Sequence, residues 1–179
     1  MIVIVDNGKG AENITRFIRV PKQVIKPSEI AKTKASGWIL SDGGSKNMKT
    51  NIELIKKCNK PLLAIGAGAV FLASSFGAQA ASIKNAKQLR VKIERPSPLV
   101  LDMKKVFSAV NDCQQGIQDL PENFDVFASS AKYEFEIIGH NENPFFGVHF
   151  NPELGEEAMK ILDNFVKFVG IWEKYHEGS

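Results

Sequence analysis

The hydrophobic and polar positions of this chain follow two rhythms. Short, largely apolar runs closed by Gly, Asp, Asn or Pro predict buried strands at Met1–Val5 (MIVIV), Gln23–Ile25, Gly37–Leu40 (GWIL), Leu62–Ile65 (LLAI) and Phe145–Phe150 (FFGVHF). Between them, apolar residues recur at helical spacing. Ala11–Val20 carries Ile14, Phe17 and Ile18 on one face, and Ser28 with Glu29 opens a further helical segment behind Pro27. Asn51–Cys58 carries Ile52 and Ile55 and ends in basic residues ahead of Asn59-Lys60-Pro61. A last helix is expected over Glu156–His176, with Met159, Leu162, Phe165 and Val169 on a broad apolar face.

Strand and helix alternate through the first half, which predicts a parallel sheet covered on both faces. Ligands of such sheets sit outside the carboxyl ends of the strands. The loops at Asp6-Asn7-Gly8, Ser41–Ser45 and Gly66–Gly68 are therefore expected on one edge. In the second half, Arg90–Glu94 (RVKIE) alternates polar and apolar residues and is broken by Pro96 and Pro98. Val106–Val110, Asp125–Ala128 and Tyr133–Ile138 are further short strands, with a turn at Leu120–Asn123. No long linker intervenes, so these strands read as a small antiparallel insertion within one domain spanning residues 1–179. The expected fold class is three-layer α/β, with a mostly parallel central sheet and helices on both faces.

Composition narrows the function classes. Apolar residues make up 44% and charged residues 24% of the 179, an ordinary balance for a soluble globular protein. The net charge is +3, and Lys56-Lys57 and Lys104-Lys105 read as solvated faces, so no nucleic-acid role is expected. Cys58 and Cys113 follow no metal-ligand spacing, and neither metal nor other cofactor is expected. No leader pattern precedes the first strand, and no apolar run approaches the roughly 20 residues of a membrane span, so the expected location is the cytoplasm, away from membranes.

The richest chemistry lies in Pro61–Phe71, PLLAIGAGAVF. A buried strand passes through Ala64, Gly66, Ala67 and Gly68 into an apolar helix. Small residues two positions either side of Gly66 are what a sharp strand-to-helix elbow requires, with its middle residue thrust out above the sheet. In enzymes built on such an elbow, that residue is the nucleophile. Here it is a glycine.

Taken together, the motifs resemble those of the class I glutamine amidotransferases, the glutaminases with a Cys-His-Glu triad, over almost the whole chain. Among them, the small separate glutaminase subunit of archaeal-type GMP synthase is the most alike. MIVIVDNG resembles that subunit's opening strand and turn, and GWILSDGG its strand ending in Leu-Ser-Gly-Gly-Pro. PLLAIGAGAVF is similar to Pro-Ile-Leu-Gly-Ile-Cys-x-Gly-x-Gln-x, LPENFDVFASS to a Leu-Pro-x-x-Phe turn, and ENPFFGVHFNPEL to Pro-Ile-Tyr-Gly-Val-Gln-Phe-His-Pro-Glu-Val. The resemblance implies a flavodoxin-like frame and, for an intact member, glutamine hydrolysis coupled to an ATP-pyrophosphatase partner. Carried over position by position, it places the nucleophile at Gly66, the general base at Asn151 and the orienting acid at Glu153. Only Glu153 matches the family's residue. The glutamine-contacting positions fall on Gly43, Ala67, Gly68 and Val70, with Val70 standing where the family has Gln. Asp42 opens the loop that in the family supplies an oxyanion donor, and a downstream His and Asp fall near Cys113 and Gln115.

Glycine bears no nucleophile, and the amide of Asn neither takes nor gives a proton near neutral pH. Two readings of Gly66 stand side by side: relief of elbow strain once catalysis is lost, or a backbone anion cradle at Gly66-Ala67-Gly68. His149 falls on the opposite side of its strand from Phe146, Val148 and Phe150 and reads as a structural histidine; His140 and His176 read as solvent-facing. A replacement triad of Cys113, His149 and Glu153 is the less favoured arrangement. Three functional expectations follow: a silent glutaminase-like domain that binds a protein or small ligand; a working amidotransferase component of GMP synthase, or an enzyme with altered chemistry at the same edge; or a regulatory protein binding through Pro96–Asp119.

Overall fold

The computed structural model describes residues 1–176. In chain order the strands and helices are β1 (Ile2–Val5), α1 (Ala11–Phe17), β2 (Lys22–Ile25), β3 (Gly37–Leu40), α2 (Met48–Lys57), β4 (Leu62–Ile65), α3 (Ala67–Ser74), β5 (Ala80–Ser82), β6 (Gln88–Ile93), β7 (Val106–Val110), β8 (Gln115–Ile117), β9 (Phe124–Ser129), β10 (Ile137–His140), β11 (Phe145–Val148) and α4 (Lys160–His176). Nine strands form one sheet in the order β2-β1-β3-β4-β11-β10-β9-β6-β7. The first five in that order run parallel to one another, and the last four add on antiparallel. The expected fold class holds. Most of the antiparallel strands extend the central sheet, while β5 and β8 form a separate two-stranded ribbon.

Alternation along the strands divides the core into two layers. Ile2, Ile4, Ile39, Leu63 and Ile65 face one way and bury α1 through Ile14 and α4 through Ile161, Leu162 and Phe165. Val3, Val5, Leu40 and Leu62 face the other way, toward Leu54 and Ile55 of α2 and Val70 and Phe71 of α3. Because both faces are covered, the parallel strands read as unbroken apolar runs.

Several boundaries differ from the sequence expectation. Helix α1 stops at Phe17 because Ile18 is already extended (φ −81°, ψ 114°). Helix α2 begins at Met48, directly behind a 3-10 turn at Ser45–Asn47, and the helical start at Ser28 is a 3-10 segment, Pro27–Lys32. The strand expected over Tyr133–Ile138 is confined to Ile137–His140. The preceding residues fold back, with the Ser130 amide donating to the Tyr133 carbonyl (2.8 Å), and Tyr133 and Glu136 turn inward. The last helix starts at Lys160 because Glu157 is drawn to the sheet edge, where it accepts from the Ser108 amide and pairs with Lys104 (3.3 Å).

The carboxyl edge assembles as expected. Gly8 and Gly43 form an isolated bridge that joins the loops after β1 and β3, and the Ala67 amide reaches Asp42. A buried amide pair locks these loops. Asn51 donates to Asn7 Oδ1 (2.8 Å), Asn7 Nδ2 donates to Asn51 Oδ1 (3.0 Å), and Asn7 also holds the Ser41 carbonyl (3.0 Å).

Candidate functional site

Gly66 lies between β4 and α3 with φ 58° and ψ −121°, a conformation that L side chains rarely adopt. For a residue with a side chain such backbone costs about 1–3 kcal/mol, which glycine avoids. The elbow is held by the Gly66 amide on the Val148 carbonyl (2.8 Å) and by the close passage of β3, whose Leu40 carbonyl lies 3.1 Å from where a Cβ on Gly68 would stand.

The space ahead of Gly66 is filled by Asp42, only 2% exposed. Its Oδ1 accepts from the amides of Gly43 and Ala67, both at 2.8 Å, and its Oδ2 accepts from Asn151 Nδ2 at 3.4 Å. A Cβ on Gly66 would lie 2.4 Å from the Asp42 Cγ. Two backbone amides that converge on one point thus hold an internal carboxylate, as the start of a helix favours.

Asn151 links this corner to its surroundings. Its Oδ1 accepts from the Asp112 amide (2.8 Å), its own amide donates to the Val110 carbonyl (2.8 Å), and its Nδ2 also reaches Glu153 Oε1 (3.4 Å). Glu153 rests against Gly10, where a Cβ would stand 2.4 Å from Oε1. Burial, aided by the nearby Asp42 charge and opposed by hydrogen bonds from its own amide and from Asn151, pushes the Glu153 carboxyl up to about 7. Of the positions singled out by sequence, Gly43, Gly66, Ala67, Asn151 and Glu153 thus meet around Asp42. Val70 belongs instead to the apolar layer under α3, and Gly68 serves the close β3 crossing. These residues offer carboxyl, amide and backbone groups, with neither thiol nor imidazole among them.

Cys113 and His149 do come together, but with Glu136 in place of Glu153. His149 Nδ1 lies 3.4 Å from Glu136 Oε2, its Nε2 meets the Gln115 carbonyl, and the Tyr133 ring packs on it at 4.4 Å. Burial draws the imidazole down, but its contacts with Cys113 and Glu136 outweigh that and push it up to about 9. A raised imidazole value means stability that is fully present below the ordinary 6.5 and is lost as pH climbs through 9, about 3 kcal/mol at most. Urea midpoints of wild type and His149→Gln, measured from pH 5.5 to 9.5, should therefore converge as pH rises; a constant gap would show that the imidazole is not charged.

His140 corrects a further expectation. It is half-buried beside Phe76 and Phe124, and its Nδ1 accepts from the amides of Glu142 and Asn143. Glu136, Asp42 as an internal ligand, and the Asn7–Asn51 pair were missed as site-forming groups in the sequence. For Asn51 a signal exists, since it shares the i, i+3, i+4 face of Leu54 and Ile55.

Comparison with known proteins gives this geometry its context. The family model for glutamine amidotransferase class-I matches residues 3–168. The glutamine-hydrolyzing GMP synthase subunit of Methanococcus aeolicus is 29% identical, over 96% of this chain and 98% of its own length. That of Pyrococcus abyssi is 30% identical, over 95% and 99%. A crystal structure from Thermoplasma acidophilum, assigned to the same GMP synthase subunit, superposes with a TM-score of 0.90 at 22% identity, covering 98% of this chain and 96% of that one. A glutamine amidotransferase from Thermotoga maritima superposes with a TM-score of 0.69 at 17% identity, covering 98% and 84%. With its elbow, its sheet order and a family match over nearly its whole length, this chain belongs to the class I glutamine amidotransferases.

Proposed function

We propose that this chain is a glutamine amidotransferase-like protein, related to the GMP synthase glutaminase subunit, that has lost glutamine hydrolysis and acts by binding a partner. Residues 1–179 act as one domain, with Gly66 and Asn151 in the places of the lost nucleophile and base and Glu153 as the retained acid. Gly43, Ala67, Gly68 and Val70 mark the former glutamine site. The partner best supported is an ATP-pyrophosphatase of the GMP synthetase type, since the relatives are themselves named as one subunit of a GMP synthase. A small ligand at the same edge is the alternative. The location that goes with this role is the cytoplasm; no described helix is long and apolar enough to cross a membrane.

One observation carries this reading. Asp42 holds the amides of Gly43 and Ala67 and fills the volume into which a side chain at position 66 would extend. Glutamine attack needs a thiolate there and free donors for the developing oxyanion. Here the Asp42 side chain already takes up those amides, so they are not free for a developing oxyanion. Glutamate release should stay at the blank level for the chain alone and with an ATP-pyrophosphatase partner plus nucleotide. Release that falls on mutation of Gly66 or Glu153 would overturn the reading, whereas co-elution with that partner in size-exclusion chromatography would support its choice.

A further inference from the structure

We propose that the turn at residues 100–103 and the hollow beside it form a self-complementary surface through which two copies of this chain associate. Leu101 and Asp102 occupy the tip of that turn. Leu101 has φ −58° and ψ 135°, Asp102 has φ 58°, and the Met103 amide closes the turn on the Val100 carbonyl (3.2 Å). This is the pattern of a type II turn, which ordinarily places Gly or Asn where Asp102 stands. Buried groups anchor it. Asn164 of α4, 4% exposed, donates from Nδ2 to the carbonyls of Leu99 and Leu101, both at 2.9 Å, and Ser97 Oγ accepts from the Leu99 amide (3.3 Å). Leu99 and Val100 are buried in the core, yet Leu101 is 59% exposed, the most exposed leucine among the described residues. An exposed leucine is ordinary by itself, but one carried on an anchored turn is already ordered for contact and loses little freedom on binding.

Beside the turn lies a hollow of about 380 Å³ with apolar walls from Ile93, Val100, Leu101 and Met103. Knob and hole are therefore neighbours on one surface. That arrangement suits a two-fold axis, because the rotation sets the Leu101 of each copy over the hollow of the other.

Charge selects the occupant. Asp102 and Lys105 also line the hollow; both are exposed, and neither belongs to an ion pair among the described residues. Their charged neighbours are already engaged: Arg95 with Asp125 (2.9 Å) and Lys104 with Glu157 (3.3 Å). Glu94 is held below the ordinary carboxylate range chiefly by the Ser129 hydroxyl and then by Lys92, and Lys105 adds only its charge from farther off. The surface thus offers one unpaired anion and one unpaired cation around an apolar knob and an apolar hole. A partner surface of a single sign would answer only one of these charges. A second copy answers both, the Asp102 of each meeting the Lys105 of the other. The contact is small beside those of permanent dimers, so dissociation in the range of about 10–100 μM is expected.

Sedimentation velocity of the full-length protein from about 5 to 500 μM should show monomer giving way to dimer. Leu101→Asp should weaken association at least about tenfold. Asp102→Lys and Lys105→Asp should each weaken it as well, since like charges then face one another. An equimolar mixture of those two variants should associate about as well as wild type, because each copy brings the charge that the other lacks. The mixture also checks folding, as a misfolded variant could not restore association. Wild type that stays monomeric throughout, a dimer indifferent to Leu101→Asp, or a mixture no better than either variant alone would overturn the proposal. So would a monomer whose co-elution with an ATP-pyrophosphatase is lost in Leu101→Asp, which would give the surface to that partner.

Discussion

Gly66→Ala should lower the stability of this protein by about 3–5 kcal/mol, and Asp42→Gly should return part of that loss when the two are combined. Two penalties add at this position. The first is the backbone, since φ 58° and ψ −121° remain unfavourable for alanine whatever its neighbours. The second is Asp42, whose Cγ would lie 2.4 Å from the new methyl. Moving it strips a buried carboxylate of the Gly43 and Ala67 amides. A urea double-mutant cycle separates the two, because removing the Asp42 side chain relieves only the second. Additive losses would show that Asp42 already moves freely. The same geometry bears on restoring the lost groups. Gly66→Cys with Asn151→His should recover little glutaminase activity, because Asp42 still fills the amide cradle and Val70 still stands in the apolar layer. Activity approaching that of an intact relative would show that the old pocket had survived.

Gly43→Ala should be at least as damaging, with a loss above about 4 kcal/mol and a sharp drop in folded yield. A Cβ there would lie 1.9 Å from the Asn7 carbonyl oxygen and 2.5 Å from its carbon. The obstacle is backbone, so no side chain can swing aside. The backbone itself is pinned by the paired amides of Asn7 and Asn51 and by the Asn47 side chain on the Asn7 carbonyl (3.1 Å). Neither Asp42→Gly nor any other truncation nearby should rescue it. A denaturation midpoint close to that of wild type would mean that the Gly8–Gly43 bridge yields without cost.

The fold was legible because its parallel half is written in continuous apolar runs, GWIL and LLAI among them, that have no other stable use. The strands β5 and β8 were not, because AAS and QGI have too few residues and too little apolar character to stand out from loop. At the candidate site, spacing located Gly66, Asn151 and Glu153. It did not reveal that Asp42 folds back onto the elbow, since that contact joins residues far apart in the chain through one side-chain rotamer. The Cys113 cluster shows the same limit. The face of His149 followed from strand parity, but its partner Glu136 lies in a segment whose pattern suggested a strand and whose backbone turns instead.

Asn151 has a mechanical consequence. A general base must be free to tilt and exchange protons, whereas the Asn151 side chain is fastened on three sides, to Asp42, Glu153 and the Asp112 amide, and its backbone N–H is fastened to the Val110 carbonyl. The first of these belongs to the loop after β3, the last to the far edge strand of the sheet. Asn151 therefore acts as a rivet between the parallel and antiparallel wings, and any outward swing of the Asp42 loop must be felt at β7 and at the neighbour of Cys113.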